Sequence, residues 1–452
     1  MKNSKLNQIQ PVASSASMRL NLLSAAVALA LAVPLAAPNA VSAQMTSGSS
    51  STSGSGSTST STSASDSPST TSSDYLTQPE QMADDKGNPL KFGSVLVYPS
   101  FGLRYGHDNN VTQAPDSGNK ISSDYTRYSP GLKADYERRG DKYALAYQGE
   151  ITRYNSTPVD DTENHTLLVT GNNILNSRNA INWLASYQDG FDARGSTDTP
   201  SAEPNRYRQQ RYGGTYRYGA QSAKGRVEVD AFGGSKRYTT DPTNTDQLEY
   251  DTQELAMRFL VRVMPKTSII MEVRGLDTDY VDPVSTRDSK ETSYRVGATW
   301  TATAATSGTV KFGQTRREYD DPTRGKSSGN GWELNVNWAP RTYSRVVIMS
   351  SRAVNDTTGN QGDYVLNTTY GLKWSHNWVS YLRSELGVSR LKSEYAGDPR
   401  VDKQLTTSAG LYYDFRRWMS LGLEVVLTDR DSNEDVNDFD RRQTMAVVQV
   451  KF

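Results

Sequence analysis

The stretch Glu254-Leu255-Ala256-Met257-Arg258-Phe259-Leu260-Val261-Arg262-Val263 decides the fold. Leu255, Met257, Phe259, Val261 and Val263 take every second position, with Glu254, Arg258 and Arg262 between them. A period of two marks a strand with one apolar and one polar face. The pattern returns in Lys142–Thr152, where Tyr143, Leu145, Tyr147 and Ile151 alternate with Lys142, Gln148, Glu150 and Thr152. Trp332, Leu334, Val336 and Trp338 repeat it, as do Leu421, Leu423, Val425 and Leu427, and the closing run Thr444, Ala446, Val448, Val450 and Phe452. No stretch from about residue 91 onward has the 3.6-residue period of an amphipathic helix. The region reads as all-β.

The connections choose between a soluble sandwich and a membrane barrel. Short ones fall at Arg139-Gly140-Asp141, Asn176–Asn179, Ala220–Lys224, Met264-Pro265-Lys266, Thr303–Thr306, Pro340-Arg341-Thr342, Asn377-Trp378 and Arg416-Arg417-Trp418. Long polar ones alternate with them, among them Asp108–Ser123, Asn155–Glu163, Ala193–Pro204, Thr239–Asp246, Asp320–Asn330 and Asp431–Asn437. This spacing predicts a single closed antiparallel transmembrane β-barrel of about 18 strands, an even number as outer-membrane barrels have. Each strand runs roughly 10–14 residues, long for a soluble sheet and suited to a tilted crossing. Closure has a physical cause, because inside lipid every backbone N–H and C=O must be paired and only a closed sheet has no edge. Trp183, Trp300, Trp338, Trp374, Trp378 and Trp418 all lie near a short turn, the arrangement of an interfacial girdle. Tyr154, Tyr238, Tyr250, Tyr280, Tyr319 and Tyr364 flank the long loops, and most are expected in the opposite girdle.

Composition removes other classes. The 452 residues carry 50 basic and 50 acidic side chains and no cysteine. Zero net charge gives no footing for a nucleic-acid partner, which needs a basic surplus. Without cysteine there is no disulfide framework, thiolate metal site or cysteine nucleophile. One apolar run near the N-terminus is too few for a helical membrane bundle.

That run belongs to residues 1–43, which read as a signal peptide: Lys2, Lys5 and Arg19, no acidic residue, the apolar Leu20–Ala37, and the small-residue site Val41-Ser42-Ala43. Cleavage is expected near Ala43, and Met18 offers an internal start. Residues 44–90 read as a disordered periplasmic segment, since Thr46–Ser73 is Ser, Thr or Gly except at Ala64, Asp66 and Pro68. Residues 91–452 form the barrel, and an even strand count places both of its ends on the periplasmic side.

The alternate positions opposite the apolar set are expected to line the lumen. They include Arg104, Asp135, Glu150, Arg258, Arg262, Glu272, Arg274, Glu333, Arg383, Glu385 and Glu424, with Lys133, Arg226, Glu228, Asp230, Lys311, Lys373, Arg441 and Lys451. Both signs are mixed, and Arg258, Arg262, Glu272 and Arg274 are expected to form one cluster. No ring of like charge, the device of strong ion selectivity, stands out. The long Asp108–Ser123 stretch is the best candidate for a loop folded into the lumen.

No catalytic residue and no cofactor is indicated. Of the three histidines, His165, which follows Asp160, Asp161 and Glu163 near a long loop, marks the only place where a Ser/His/acid constellation is expected to be able to form, and no nucleophile motif accompanies it. His107 and His376 have no evident partner in sequence. The acidic run Asp429–Asp440 places oxygens as a calcium loop does but has Glu434 where the sharp turn needs glycine, so no metal site is expected.

The terminal strand Met445-Ala446-Val447-Val448-Gln449-Val450-Lys451-Phe452 resembles the C-terminal signature of bacterial outer-membrane proteins. That resemblance implies recognition of Phe452 by the barrel-assembly machinery and a place in the outer membrane of a Gram-negative bacterium, in contact with its lipid. Val97-Tyr98-Pro99-Ser100-Phe101 through Tyr105-Gly106-His107-Asp108-Asn109-Asn110-Val111 is similar to a family of β-barrel porins associated with exopolysaccharide and capsule operons. The likeness implies a role in polysaccharide export, with periplasmic export components as partners, and brings no catalytic residues. Beside it stand a general or substrate-specific porin for small solutes, and an outer-membrane hydrolase or adhesin. The transported compound and the choice between monomer and trimer are left open by the sequence.

Overall fold

The structure, a computed structural model, describes residues 89–451 apart from 195–200, 221, 241, 304, 356, 358–361 and 363. The expected signal peptide, most of the Ser/Thr-rich segment and Phe452 lie outside the described residues.

A short strand β1 (Leu90–Phe92) precedes eighteen long ones. The first half comprises β2 (Val95–Asp108), β3 (Ser123–Arg138), β4 (Asp141–Tyr154), β5 (Thr162–Asn176), β6 (Asn179–Asp192), β7 (Asn205–Tyr218), β8 (Gly225–Tyr238), β9 (Tyr250–Met264) and β10 (Thr267–Tyr280). The second comprises β11 (Ser289–Thr303), β12 (Thr306–Tyr319), β13 (Ser327–Arg341), β14 (Ser344–Asn355), β15 (Tyr364–Val379), β16 (Leu382–Ala396), β17 (Val401–Arg416), β18 (Met419–Ser432) and β19 (Phe439–Lys451). Each pairs antiparallel with its successor, and β19 returns to β2 with Gln443 opposite Asp108 and Lys451 opposite Ser100. Strands β2–β19 therefore close into an eighteen-stranded barrel, while β1 pairs only with β2. Helical turns occur within the long loops, at Pro158–Asp160, Pro242–Leu248 and Asp435–Asn437.

Short and long connections alternate as the sequence spacing predicts. At Arg139 and Gly140 φ is 55° and 90°, the left-handed pair of a two-residue hairpin matched to strand twist. Some boundaries differ from expectation. Strand β15 runs through Asn377-Trp378 to Val379, and β13 starts at Ser327, inside the expected Asp320–Asn330 loop. Ser327–Gly331 looks like a loop by composition, yet Gly329 and Gly331 pair with Thr315 and Gly313, where small residues leave room for neighbouring inner side chains.

The apolar alternate positions face outward, and Leu255, Met257, Phe259 and Val263 are all well exposed in the isolated chain. The short-turn tryptophans share this outer face. Their indole N–H groups find partners nearby: Trp183 donates to Asn173 (3.0 Å), Trp374 to Ser344 (3.0 Å) and Trp378 to Ser384 (3.0 Å). An amphipathic ring so satisfied suits a membrane interface. Of the six tyrosines expected in the second girdle, only Tyr364 keeps outward parity, shared with exposed Tyr370 and Leu372. Tyr154, Tyr238, Tyr250, Tyr280 and Tyr319 have the parity of the inward charges, and Tyr154, Tyr250 and Tyr280 are buried. They pair inside the barrel, Tyr125 with Tyr154 (ring centroids 5.7 Å), Tyr207 with Tyr238 (6.0 Å) and Tyr250 with Tyr280 (5.8 Å).

Candidate functional site: the inner wall and its mouth

Inward positions of strands β7–β13 carry two tiers of ion pairs. In the tier nearer the short turns, Glu228 meets Arg226 (3.0 Å), Arg217 (3.6 Å) and Arg258 (3.2 Å). Arg258 continues to Asp230 (2.8 Å) and Glu272 (3.9 Å). Glu272 also holds Lys311 (3.2 Å) and Arg295 (3.7 Å), and both cations reach Glu333, at 3.6 and 3.9 Å. In the tier nearer the long loops, Glu254 takes Arg274 (3.2 Å) and Arg211 (3.4 Å), and Glu291 takes Arg274 (3.5 Å) and Arg317 (3.0 Å). Charges this deep persist because Glu228, Glu254, Glu272, Glu291 and Glu333 are each shared between cations, while Asp230 meets Arg258 and the Thr215 hydroxyl (2.7 Å); one partner lost leaves the other desolvated.

The remaining expected residues form smaller groups around the ring. Asp135 pairs with Lys133 (3.1 Å), Glu150 with Arg127 (3.6 Å), and Glu385 with Lys373 (3.0 Å) and Arg383 (3.3 Å). Glu424 accepts the Tyr412 hydroxyl (2.6 Å) and lies 3.6 Å from Arg104. The four-residue cluster is thus divided: Arg258 joins Glu272, Arg274 belongs to the other tier, and Arg262 makes no ion pair among the described residues. Arg262 stands four residues beyond Arg258 along β9, with Leu260 between them on the inner face. Arg211, Arg217, Glu291, Arg295 and Arg317 complete the tiers and were absent from the sequence expectation; strand parity was the signal that could have found them.

A cavity of about 750 Å³ lies against the short-turn half of this wall, lined in part by Asp135, Arg226, Glu228, Arg258 and Lys311, with Phe232 and Leu260. Substantial strand contacts are confined to sheet neighbours. A ring of this size leaves an aqueous interior.

At the long-loop end a loop folds over the inner face. The chain leaving β2 turns inward, so that Asn110 is fully buried and Val111 packs on Tyr125 and Tyr154. Asn110 donates to the carbonyls of Ala114 (2.8 Å) and Asp440 (2.9 Å), and accepts from the Ala114 N–H (2.9 Å). Asp108, fully buried, accepts the Arg441 guanidinium (2.5 and 2.9 Å), the Gln443 amide (2.9 Å) and the Asn110 N–H (3.0 Å). Farther out, Lys120 joins Asp116 (2.5 Å) and Asp440. These carboxylates raise the Lys120 pKa above the usual ammonium value, so this clamp's lysine stays charged through neutral pH and is released only as pH climbs past the raised value. Arg194 reaches across to Asp160 (2.6 Å), tying two further loops.

The histidines are distributed differently from expectation. His165 makes no ion pair among the described residues: its ring meets the Tyr147 hydroxyl (2.9 Å), Glu163 pairs with Arg153, and Asp160 is taken by Thr157 and Arg194. His376 lies among Tyr343, Trp374 and Trp378. Among the described residues it is His107 that makes an ion pair, with Asp124, supplied by strand pairing. In the acidic Asp429–Asp440 run, Asp438 accepts the Ser432 N–H (2.6 Å) and Glu434 the Asn437 amide (2.9 Å).

Residues 86–452 match the family described as "Putative beta-barrel porin 2". The chain belongs to this family. The porin has no match among curated proteins. Solved structures that resemble it include OccK9 (OpdG) of Pseudomonas aeruginosa, at 9% identity and TM-score 0.45, covering 79% of this chain and 98% of that one. OpdK of P. aeruginosa, solved with vanillate, gives 8%, 0.43, 79% and 99% in the same order, and the copper transporter OprC gives 11%, 0.45, 80% and 81%. The porin is an outer-membrane-type β-barrel channel with a wall of mixed charge.

That wall makes a sharp comparison. Arg262→Ala removes an uncompensated cation, so the reversal potential in a salt gradient is expected to move toward cation preference with little loss of stability. Arg258→Ala breaks three contacts at once and is expected to lower the urea midpoint of unfolding. Equal behaviour of the two variants in both measurements would refute the assignment.

Proposed function

We propose that the porin conducts long, hydrated, weakly charged solutes across the outer membrane, and that its cargo is an exopolysaccharide or capsular polysaccharide. The observation that carries this reading is the mutual compensation of charge along the inner wall, where carboxylates such as Glu272, Glu333 and Glu385 are each shared between cations. A wall of this kind stays wet yet presents few lone charges to hold a passing polymer. The sugar itself comes from the likeness to porins of polysaccharide operons.

The inward fold of the β2–β3 loop favours a second reading, a porin for small polar solutes, because Asn110 and Val111 pack against the inner face. One experiment separates the two. Deleting the gene and quantifying polymer in medium, capsule and periplasm should give loss outside with retention in the periplasm, restored by the full chain. Unchanged polymer would remove the export reading and leave the small-solute porin, whose single-channel conductance is then the quantity to record.

A further inference from the structure

His107 is the penultimate residue of β2, and the sheet register sets it directly opposite Asp124 on β3. Both side chains lie on the outer face, about half exposed. The Asp124 carboxylate lies 2.7 Å from Nδ1 of His107, and the Ser122 hydroxyl lies 3.0 Å from Nε2. Both ring nitrogens are engaged, by an acid on one side and a hydroxyl on the other. A histidine needed only for packing requires no such order. With Nδ1–H donated to the carboxylate, Nε2 is left to accept the serine proton, the nucleophile–base–orienter relation of an activated serine. Burial does not stand in the way, since Ser122 is exposed at the exit of the long loop.

We propose that Ser122, His107 and Asp124 form a serine-hydrolase site on the outer wall, acting on the acyl ester of a membrane lipid. Position supplies the substrate class. Below the site on the same face, Tyr105 and Phe101 of β2 and Tyr128 and Leu132 of β3 are exposed apolar side chains. They form the lipid-facing band, so the serine sits just beyond it, at the depth of headgroups and ester linkages. On the other side of His107, its partner Thr444 lies two residues from Arg442, an exposed outward cation suited to a lipid phosphate.

The reaction balances without a cofactor. Ser122 Oγ attacks the ester carbonyl while its proton passes to His107 Nε2; the bond to the lipid alcohol breaks and the alcohol oxygen takes that proton. Water then attacks the acyl-serine, giving its proton to the same nitrogen and releasing the fatty acid and free Ser122. Ester and water become acid and alcohol. Asp124 is a positioning residue, holding the imidazole in the tautomer that leaves Nε2 free.

The purified full chain, folded in detergent, is treated with a fluorophosphonate and separately mixed with phosphatidylglycerol vesicles and with lipopolysaccharide vesicles. Mass spectrometry should place the phosphonyl group on Ser122, and fatty acid should appear from one of the two lipids, which tells the sources apart. Ser122→Ala should abolish both signals. His107→Asn should slow labelling by about a hundredfold or more, the usual worth of a general base. Asp124→Asn should slow it and alter its pH profile, which a merely structural carboxylate would not do. Heat-modified migration on gels verifies that each variant is a folded barrel. No label on Ser122 in the folded protein, or label without fatty acid from either lipid, overturns the proposal.

Discussion

Asp108→Ala should loosen the barrel at its seam and widen its mouth together. Asp108 is where the two ends of the barrel meet, since its carboxylate binds Arg441 and Gln443 of β19 while accepting the Asn110 N–H from the inward loop. Removing it strands the Arg441 guanidinium among Tyr125 and Tyr154, a loss of about 3–5 kcal/mol for a broken buried pair. The loop loses its anchor in the same step. The expected result is a lower urea midpoint, read by heat-modified migration, and a larger unit conductance in planar bilayers. Arg441→Met added to Asp108→Ala should recover part of the stability, because the unpaired cation has gone. Conductance unchanged in a correctly folded Asp108→Ala barrel would show that the loop does not constrict the channel.

Glu272→Ala is expected to give the largest change in selectivity. Its carboxylate serves Lys311, Arg295 and Arg258. Glu228, Asp230 and Glu333 remain to hold those cations, one negative charge short. The reversal potential should swing toward anions, and the stability loss should approach the 3–5 kcal/mol of a broken buried pair, about the lower figure where water reaches the wall. Glu272→Gln keeps the size and part of the hydrogen bonding, so it should move the potential as far at a smaller cost in stability. A potential unmoved by both variants would take Glu272 off the conduction path.

What could be read in advance followed from periodicity. Leu255, Met257 and Phe259 announce the lipid face and Glu254 and Arg258 the wall, because a strand of period two has no other way to divide them. The same rule, applied to Tyr154 and Tyr280, would have sent them inward with Thr152 and Thr278; their position beside long loops suggested a girdle instead. Partnership was harder to foresee. His107 and Asp124 are separated by a loop whose length hides the register, and only the pairing of β2 with β3 makes them neighbours. The inward path of Asn110 and Val111 depends on side-chain contacts with β19, more than 300 residues away in sequence.

The seam has one more property. Strand β19 meets β2 from Ser100 to Asp108, and the same edge of β2 from Val95 to Val97 is covered by Leu90–Phe92. The ring is thus completed at its short-turn rim by a three-residue graft from the segment leading into the barrel. An uncovered edge invites pairing with another chain, so the graft caps the part of the β2 edge that β19 does not reach.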